Sequence, residues 1–390
     1  MKNKSIPLLI LFSLLIVCCQ NKGEKNPYGE ILRVDLDKSK SYISDKESGL
    51  IFSDDCELIE IDCASGIGTV EDLKFDKDKL IILDNGRQRI HVLNANGNCE
   101  HEISHLGRAA NEYVEITDYY VLNGKVYVLD LSSLKVIEYN FDGTCTGVTD
   151  ISAYWANKLF VIGEHLFLVN QGSDTTYGKQ TVFEIKKDGS LVKTYIPFNE
   201  TPRLVCDDCY SSYSSDSIFF AQRESNTIYK IAKGQCEPFI TLNFGAYNLP
   251  ERLKAMDARE LLHEASGEYE NYVLGIEKIQ VLGNLLFVNF QARQDKYLLV
   301  IDYKKKTPLL LCKGIAVNSM YQMGLMNYYL NGDDVYNIYD GEDFIDIVNN
   351  MHDNANRMER RYFDQLNKIV SERKSDSGNP IVIKYKMKND

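Results

Sequence analysis

The side chains able to do chemistry in this 390-residue chain are its cysteines, arginines and carboxylates, and their spacing matches none of the common catalytic designs. There is no phosphate-cradling Gly-rich loop, no Gly-x-Ser-x-Gly elbow, no His-Glu-x-x-His helix and no EF-hand loop. Carboxylates are abundant, but spacing alone pairs no two of them as acid and base. Cys56 and Cys63 flank one extended run and would stand roughly 20 Å apart, too far to bridge each other. Cys99, Cys145 and Cys236 recur at matching positions and read as small core residues. Cys206-Asp-Asp-Cys209 admits a local disulfide, two thiols or half a zinc site. The six histidines show no matching spacing, so neither a metal nor another cofactor is expected.

Arg87, Arg108, Arg203, Arg223 and Arg293, with Glu112 and Tyr113, form the candidate ligand-binding set. A guanidinium fork matches a carboxylate, so clustered arginines on an acidic body suit an anionic ligand such as a carboxylate-bearing sugar or an acidic partner surface. The competing reading is that each arginine pairs locally, with acids such as Asp84 or Glu112, and stitches neighbouring elements together. Glu112 and Tyr113 read as a structural clasp before a catalytic pair. Asp84, Asp130 and Asn170 recur at matching strand ends and read as turn caps rather than as a central cation site. The net charge of −12 without a basic stripe argues against nucleic acid as a partner. A content of 44% hydrophobic and 11% aromatic residues supplies a large core.

These residues hang on a repeat. Ile90-His-Val-Leu-Asn-Ala-Asn-Gly97 returns as Val136-Ile-Glu-Tyr-Asn-Phe-Asp-Gly143, Val182-Phe-Glu-Ile-Lys-Lys-Asp-Gly189 and Ile228-Tyr-Lys-Ile-Ala-Lys-Gly234, with anchors 94, 140, 186 and 232 spaced 46 residues apart. Each unit is an alternating apolar run, a Gly turn and a second run, which is how a strand pair reads. A further hairpin precedes each, with second strands starting near Leu80, Val126, Leu166, Ile218, Leu285 and Val335. Four strands per unit in six units predict an all-β, six-bladed β-propeller spanning 56–390. The last unit lacks its outer strand, so Leu58-Ile-Glu-Ile61 is expected to close the ring by completing the blade that ends in Ile381–Met387. Helical insertions are expected near 245–272 and 341–375, both on the face of the blade-to-blade connections, where all five arginines also fall.

The N-terminus carries Lys2 and Lys4, then the apolar run Ile6 to Val17, too short for a comfortable permanent span. It ends in Cys18-Cys19 before a polar stretch and resembles a bacterial lipoprotein signal, with Cys19 (or Cys18) the lipidated residue. Residues 1–19 are then signal and lipidation site, and 20–55 a tether and N-terminal extension.

The run Glu57-Leu-Ile-Glu-Ile-Asp62, the loop Gly107-Arg-Ala-Ala-Asn-Glu-Tyr113 and the ending Asn379-Pro-Ile-Val-Ile-Lys-Tyr-Lys-Met-Lys388 together resemble the six-bladed β-propeller lipoproteins of Gram-negative bacteria, relatives of NHL-repeat propellers. That family's loop usually reads Gly-Arg/Lys-Gly-Pro-Gly-Glu-Tyr/Phe. This chain keeps Gly107, Arg108, Glu112 and Tyr113 but places Ala109, Ala110 and Asn111 between them. The resemblance implies a membrane-anchored protein of the cell envelope, facing the periplasm or the outside. Its expected role is a binding or scaffold module for a glycan, peptide or envelope partner protein. The alternative is a metal-dependent lactonase- or lyase-like enzyme with a site in the central channel.

Overall fold

The period-46 repeat becomes a ring of six antiparallel sheets, and the first, second, third and fourth strands of each lie progressively farther from the axis. The computed structural model describes residues 29–40, 52–170, 175–197, 209–214, 216–222, 225–256, 259–260, 263, 267–313, 328–340, 371 and 379–387. The innermost strands are Val70–Asp76, Asp118–Leu122, Lys158–Ile162, Cys209–Ser214, Ile276–Leu282 and Tyr328–Asn331. The second strands are Lys79–Asp84, Lys125–Asp130, His165–Val169, Ser217–Ala221, Leu285–Ala292 and Asp334–Tyr339, each starting within one residue of the position read from the sequence. Third strands such as Arg89–Leu93 and Lys135–Asn140 end in the repeated Gly turns.

Burial explains the residue pattern across a blade. Second strands have neighbouring blades on both faces and read as unbroken apolar runs, Leu80-Ile-Ile-Leu and Leu166-Phe-Leu-Val being wholly buried. Outer strands such as Cys99–Ile103 bury only part of one face and carry charge. The core is therefore a ring of layers between blades. One layer joins Tyr127, Phe160, Phe167 and Phe220, another joins Phe219, Phe244, Phe290 and Leu299, and a third joins Ile81, Tyr113, Tyr119 and Tyr139.

The ring closes as the missing strand requires. Phe52–Glu60 pairs antiparallel with Ile381–Met387, with Ile59 opposite Val382, so the sixth blade is built from both ends of the chain. Within the segment read as tether and extension, Glu30–Arg33 forms a fifth strand on the fourth blade, parallel to Gln235–Asn243. Val34 and Leu36 follow it and are buried between the fourth and fifth blades. In the insertion at 245–272, the helical turn Glu251–Lys254 begins after Pro250 and buries Leu253. The second expected insertion, 341–375, lies almost wholly outside the described residues, as do Arg203, Arg223, Cys206, Cys18 and Cys19. Among the described residues no helix is long and apolar enough to cross a membrane.

Candidate functional site in the axial channel

The innermost strands surround a cavity of about 830 Å³ on the ring axis, to which all six blades contribute. Side chains on a strand alternate between faces, so residues two apart share one. Asp72 with Lys74 and Lys278 with Gln280 are such pairs, and all four line the cavity together with Asp118, Lys158, Tyr210 and Tyr329.

Lys74 bonds Asp72 at 2.5 Å, and its ammonium lies over the Tyr119 ring at 4.5 Å. Burial works against that charge, but Asp72 and Asp118 outweigh it and hold the Lys74 pKa above the ordinary lysine value. Burial also raises the Asp118 carboxyl, against the pull of Lys74 and Lys158. The Asp118 carboxylate is anchored by the Leu159 amide at 2.7 Å, and the Tyr210 hydroxyl lies 3.3 Å from it. Lys278 has less compensation. It donates to the Tyr328 carbonyl at 2.8 Å and sits 4.7 Å from the centre of the Tyr329 ring. Burial pulls its pKa down to about 8, with Asp72 opposing and Lys74 assisting. Gln280 donates to the same Tyr328 carbonyl at 2.8 Å, while its buried Oε1 finds no partner among the described residues. Aromatic faces beside opposed charges can hold a polar ligand by stacking and hydrogen bonds at once.

Of the ligand-binding candidates singled out from sequence, those that are described lie in connections and none of them lines this channel. The Tyr113 side chain is fully buried; its hydroxyl lies 2.8 Å from the Gln88 carbonyl and 3.2 Å from the Ile103 carbonyl, and it accepts from the His105 amide. Glu112 folds back over Gly107 and accepts from the Ala109 amide at 2.9 Å. Arg87 donates to the carbonyls of Ser65 and Gly66, in the connection entering the first blade. Arg293 contacts Asp37 of the N-terminal extension and lies over the Tyr247 ring at 4.8 Å. Arg108 is exposed on its loop. Asp84 accepts from the amides of Gly68, Thr69 and Arg87, and Asp130 from those of Val114 and Ser133, so both cap turns.

A family model described as a domain of unknown function, DUF4934, matches residues 64–386. The chain belongs to the DUF4934 family. No curated protein matches it by sequence. Among solved structures, this DUF4934 propeller is similar to a Bacteroides fragilis NCTC 9343 protein described as a "putative exported protein". The TM-score is 0.70 at 13% identity, over 92% of this chain and 100% of that one. It is also similar to a DUF4221 family member from Bacteroides vulgatus ATCC 8482, with TM-score 0.55 at 10% identity, covering 87% and 98%. At these identities the likeness establishes the fold.

Sequence reasoning missed the channel residues of this DUF4934 chain. The signal was present as charge inside otherwise apolar inner strands, Glu71-Asp-Leu-Lys74 and Glu277-Lys-Ile-Gln280. It also missed a cluster of Cys63, His91 and Cys99, because Cys63 lies in a connecting loop and no sequence spacing relates it to the other two.

Proposed function

We propose that the protein is an exported, lipid-anchored β-propeller of the cell envelope that acts as a binding module and seats a short glycan in its axial channel. The observation carrying this reading is the 830 Å³ cavity, a volume typical of small-ligand sites, lined by tyrosine rings, lysines and carboxylates. Sugar rings present C–H faces that stack on tyrosine and hydroxyls that bond to carboxylate, amide and ammonium groups. The description of the B. fragilis structure as exported supports the cellular address, as does the run from Lys2 to Cys19. Exposed Arg108, on the connection face, fits the capture of an acidic substituent.

The test is isothermal titration of the full chain against neutral and acidic oligosaccharides, with peptides as the comparison set. Saturable binding of a glycan that Tyr329→Ala abolishes, with thermal unfolding retained, supports the assignment. Binding of peptides alone, or glycan binding indifferent to Tyr329→Ala, overturns it. For the anchor, Cys19→Ala is expected to abolish incorporation of a labelled fatty acid. Labelling retained in the double variant Cys18→Ala/Cys19→Ala would refute lipidation at this pair.

A further inference from the structure

We propose that Cys63, His91 and Cys99 form a zinc site that fastens the connection entering the first blade onto that blade's outer strands. The three come from separate places. Cys63 lies in the connection after the ring-closing strand, His91 in the third strand of the first blade, and Cys99 at the start of its fourth. Their donor atoms all lie within 4.8 Å of one another, and the Cys99 sulfur is 3.8 Å from His91 Nδ1. Sulfur at 2.3 Å and nitrogen at 2.0–2.1 Å from a tetrahedral ion stand about 3.6 Å apart, so these donors need only small shifts to share one zinc.

The surroundings match what such a site needs beyond its ligands. His91 is fully buried, and its other nitrogen, Nε2, has no hydrogen-bond partner among the described residues. It faces the buried Asp84 carboxylate at 3.9 Å. A metal-ligating histidine commonly donates its second N–H to a carboxylate, which fixes the ring and makes the ligating nitrogen more basic. With Nδ1 on the ion, Nε2–H points toward Asp84. A carboxylate also lies beside the cluster: Glu102 Oε2 is 3.8 Å from His91 Nδ1 and accepts from the Ser65 hydroxyl at 2.7 Å while Oε1 pairs with Arg89, and a turn of this side chain toward the cysteines would supply the fourth ligand.

The loop bearing Cys63 is held before any ion arrives. The Asn379 side chain accepts from the Ile67 amide at 3.0 Å, Asp84 takes the Gly68 and Thr69 amides, and Arg87 holds the Ser65 and Gly66 carbonyls. The Cys99 amide donates to the Asp62 carbonyl at 3.0 Å, which keeps the two cysteine-bearing segments in register. Zinc binding as two thiolates, one neutral imidazole and one carboxylate releases the two thiol protons to solvent and involves no redox step. With Glu102 as fourth ligand the ion would have no open position, and the site lies among a blade's outer strands, away from the channel, so its role is structural.

The experiment uses the full chain purified in detergent under reducing conditions without chelator. Metal content is measured after equilibration with zinc and gel filtration, and the spectrum is recorded after exchange to cobalt(II). About one zinc per chain and a cobalt spectrum with thiolate charge-transfer and tetrahedral bands support the site. Cys99→Ser should remove the thiolate bands, whereas Cys145→Ser, at the equivalent position of the second blade, should leave them. His91→Gln should weaken zinc binding by more than the roughly 10- to 100-fold typical of outer-shell changes. Failure to retain zinc, an octahedral cobalt spectrum in the wild-type chain, or thiolate bands that survive Cys99→Ser would each overturn the proposal. So would an intact mass showing a Cys63–Cys99 disulfide when the chain is purified with zinc but without reductant. The cobalt spectrum of the wild-type chain decides the question even if a variant fails to fold.

Discussion

Lys278 is a cation kept in a place that disfavours cations. Its pKa of about 8 lies below the ordinary lysine value of 10.5, because burial among Tyr328, Tyr329 and the Lys74 charge outweighs the pull of Asp72. Between those two values the unfolded chain holds a proton that the folded chain has lost, so stability rises with pH across that window; below about pH 8 both states are protonated and the penalty is constant. Lys278→Met is therefore expected to raise stability at pH 7 by about 1–3 kcal/mol and to give progressively less advantage between pH 8 and 10.5. Urea denaturation at pH 7 and pH 10 checks this, and an advantage that grows with pH would contradict it. A cost at pH 7 of that kind is what a binding site tolerates and a core position does not, since a ligand can later supply the missing partner. Tyr113 is the opposite case. Its hydroxyl lies within hydrogen-bond reach of two carbonyls and one amide, and Tyr113→Phe leaves those buried groups short of a partner at a cost of about 1–3 kcal/mol. A loss of stability without any change in ligand affinity would mark the residue as a clasp.

At the scale of elements, the Gly turns that revealed the repeat do more than reverse the chain. Gly97 has a φ of +86°, and a Cβ there would stand 2.2 Å from the Glu60 carbonyl oxygen and 2.8 Å from Ile59 Cγ2. The turn is pressed against the ring-closing strand. Gly124 has a φ of +77° with nothing within 4 Å of such a Cβ. Gly124→Ala should therefore cost only the left-handed strain of about 1 kcal/mol. Gly97→Ala adds a clash with backbone and should cost about 3 kcal/mol or more. Equal urea midpoints for the two variants would show that the blade-to-blade contact carries no weight. The same contrast separates what was legible in the sequence from what was not. Second-strand starts, third-strand ends and the closing strand were readable because each repeats a pattern of burial, or completes one that lacks a member. Glu30–Arg33 was not, because the four residues Glu-Ile-Leu-Arg show no alternation and their partner strand is distant in sequence. Lys74, Lys278 and Asp118 were visible as charges in strands, but their meeting on one axis depends on blade curvature. Cys63 and Cys99 meet because of the path of a connecting loop, which no periodicity encodes.

For the whole molecule, the decisive feature is that one blade joins the two ends of the chain. In a propeller whose core is a set of layers between blades, an open ring exposes two apolar blade faces and an unpaired strand edge. Two nested truncations separate closure from ordinary loss of contacts. Removing residues 1–40 takes away the fifth strand of the fourth blade and the buried side chains of Val34 and Leu36, at a cost of roughly 3–6 kcal/mol as an upper estimate. The ring remains intact, so unfolding should stay a single cooperative transition at a lower midpoint. Removing residues 1–61 also takes away Phe52–Glu60, leaving Ile381–Met387 with one edge unpaired and Val382 without its cross-strand partner Ile59. That chain should lose cooperative unfolding and associate, with the change visible by calorimetry and light scattering. A synthetic peptide spanning 52–62 should bind the opened edge in register and restore the single transition, since the pairing is antiparallel and pinned by Ile59 opposite Val382 and Glu57 opposite Lys384. If the 62–390 chain instead melts as sharply as the 41–390 chain, closure is not what holds the blades together. The layers between blades would then suffice on their own, as in an open solenoid whose neighbours interact pairwise.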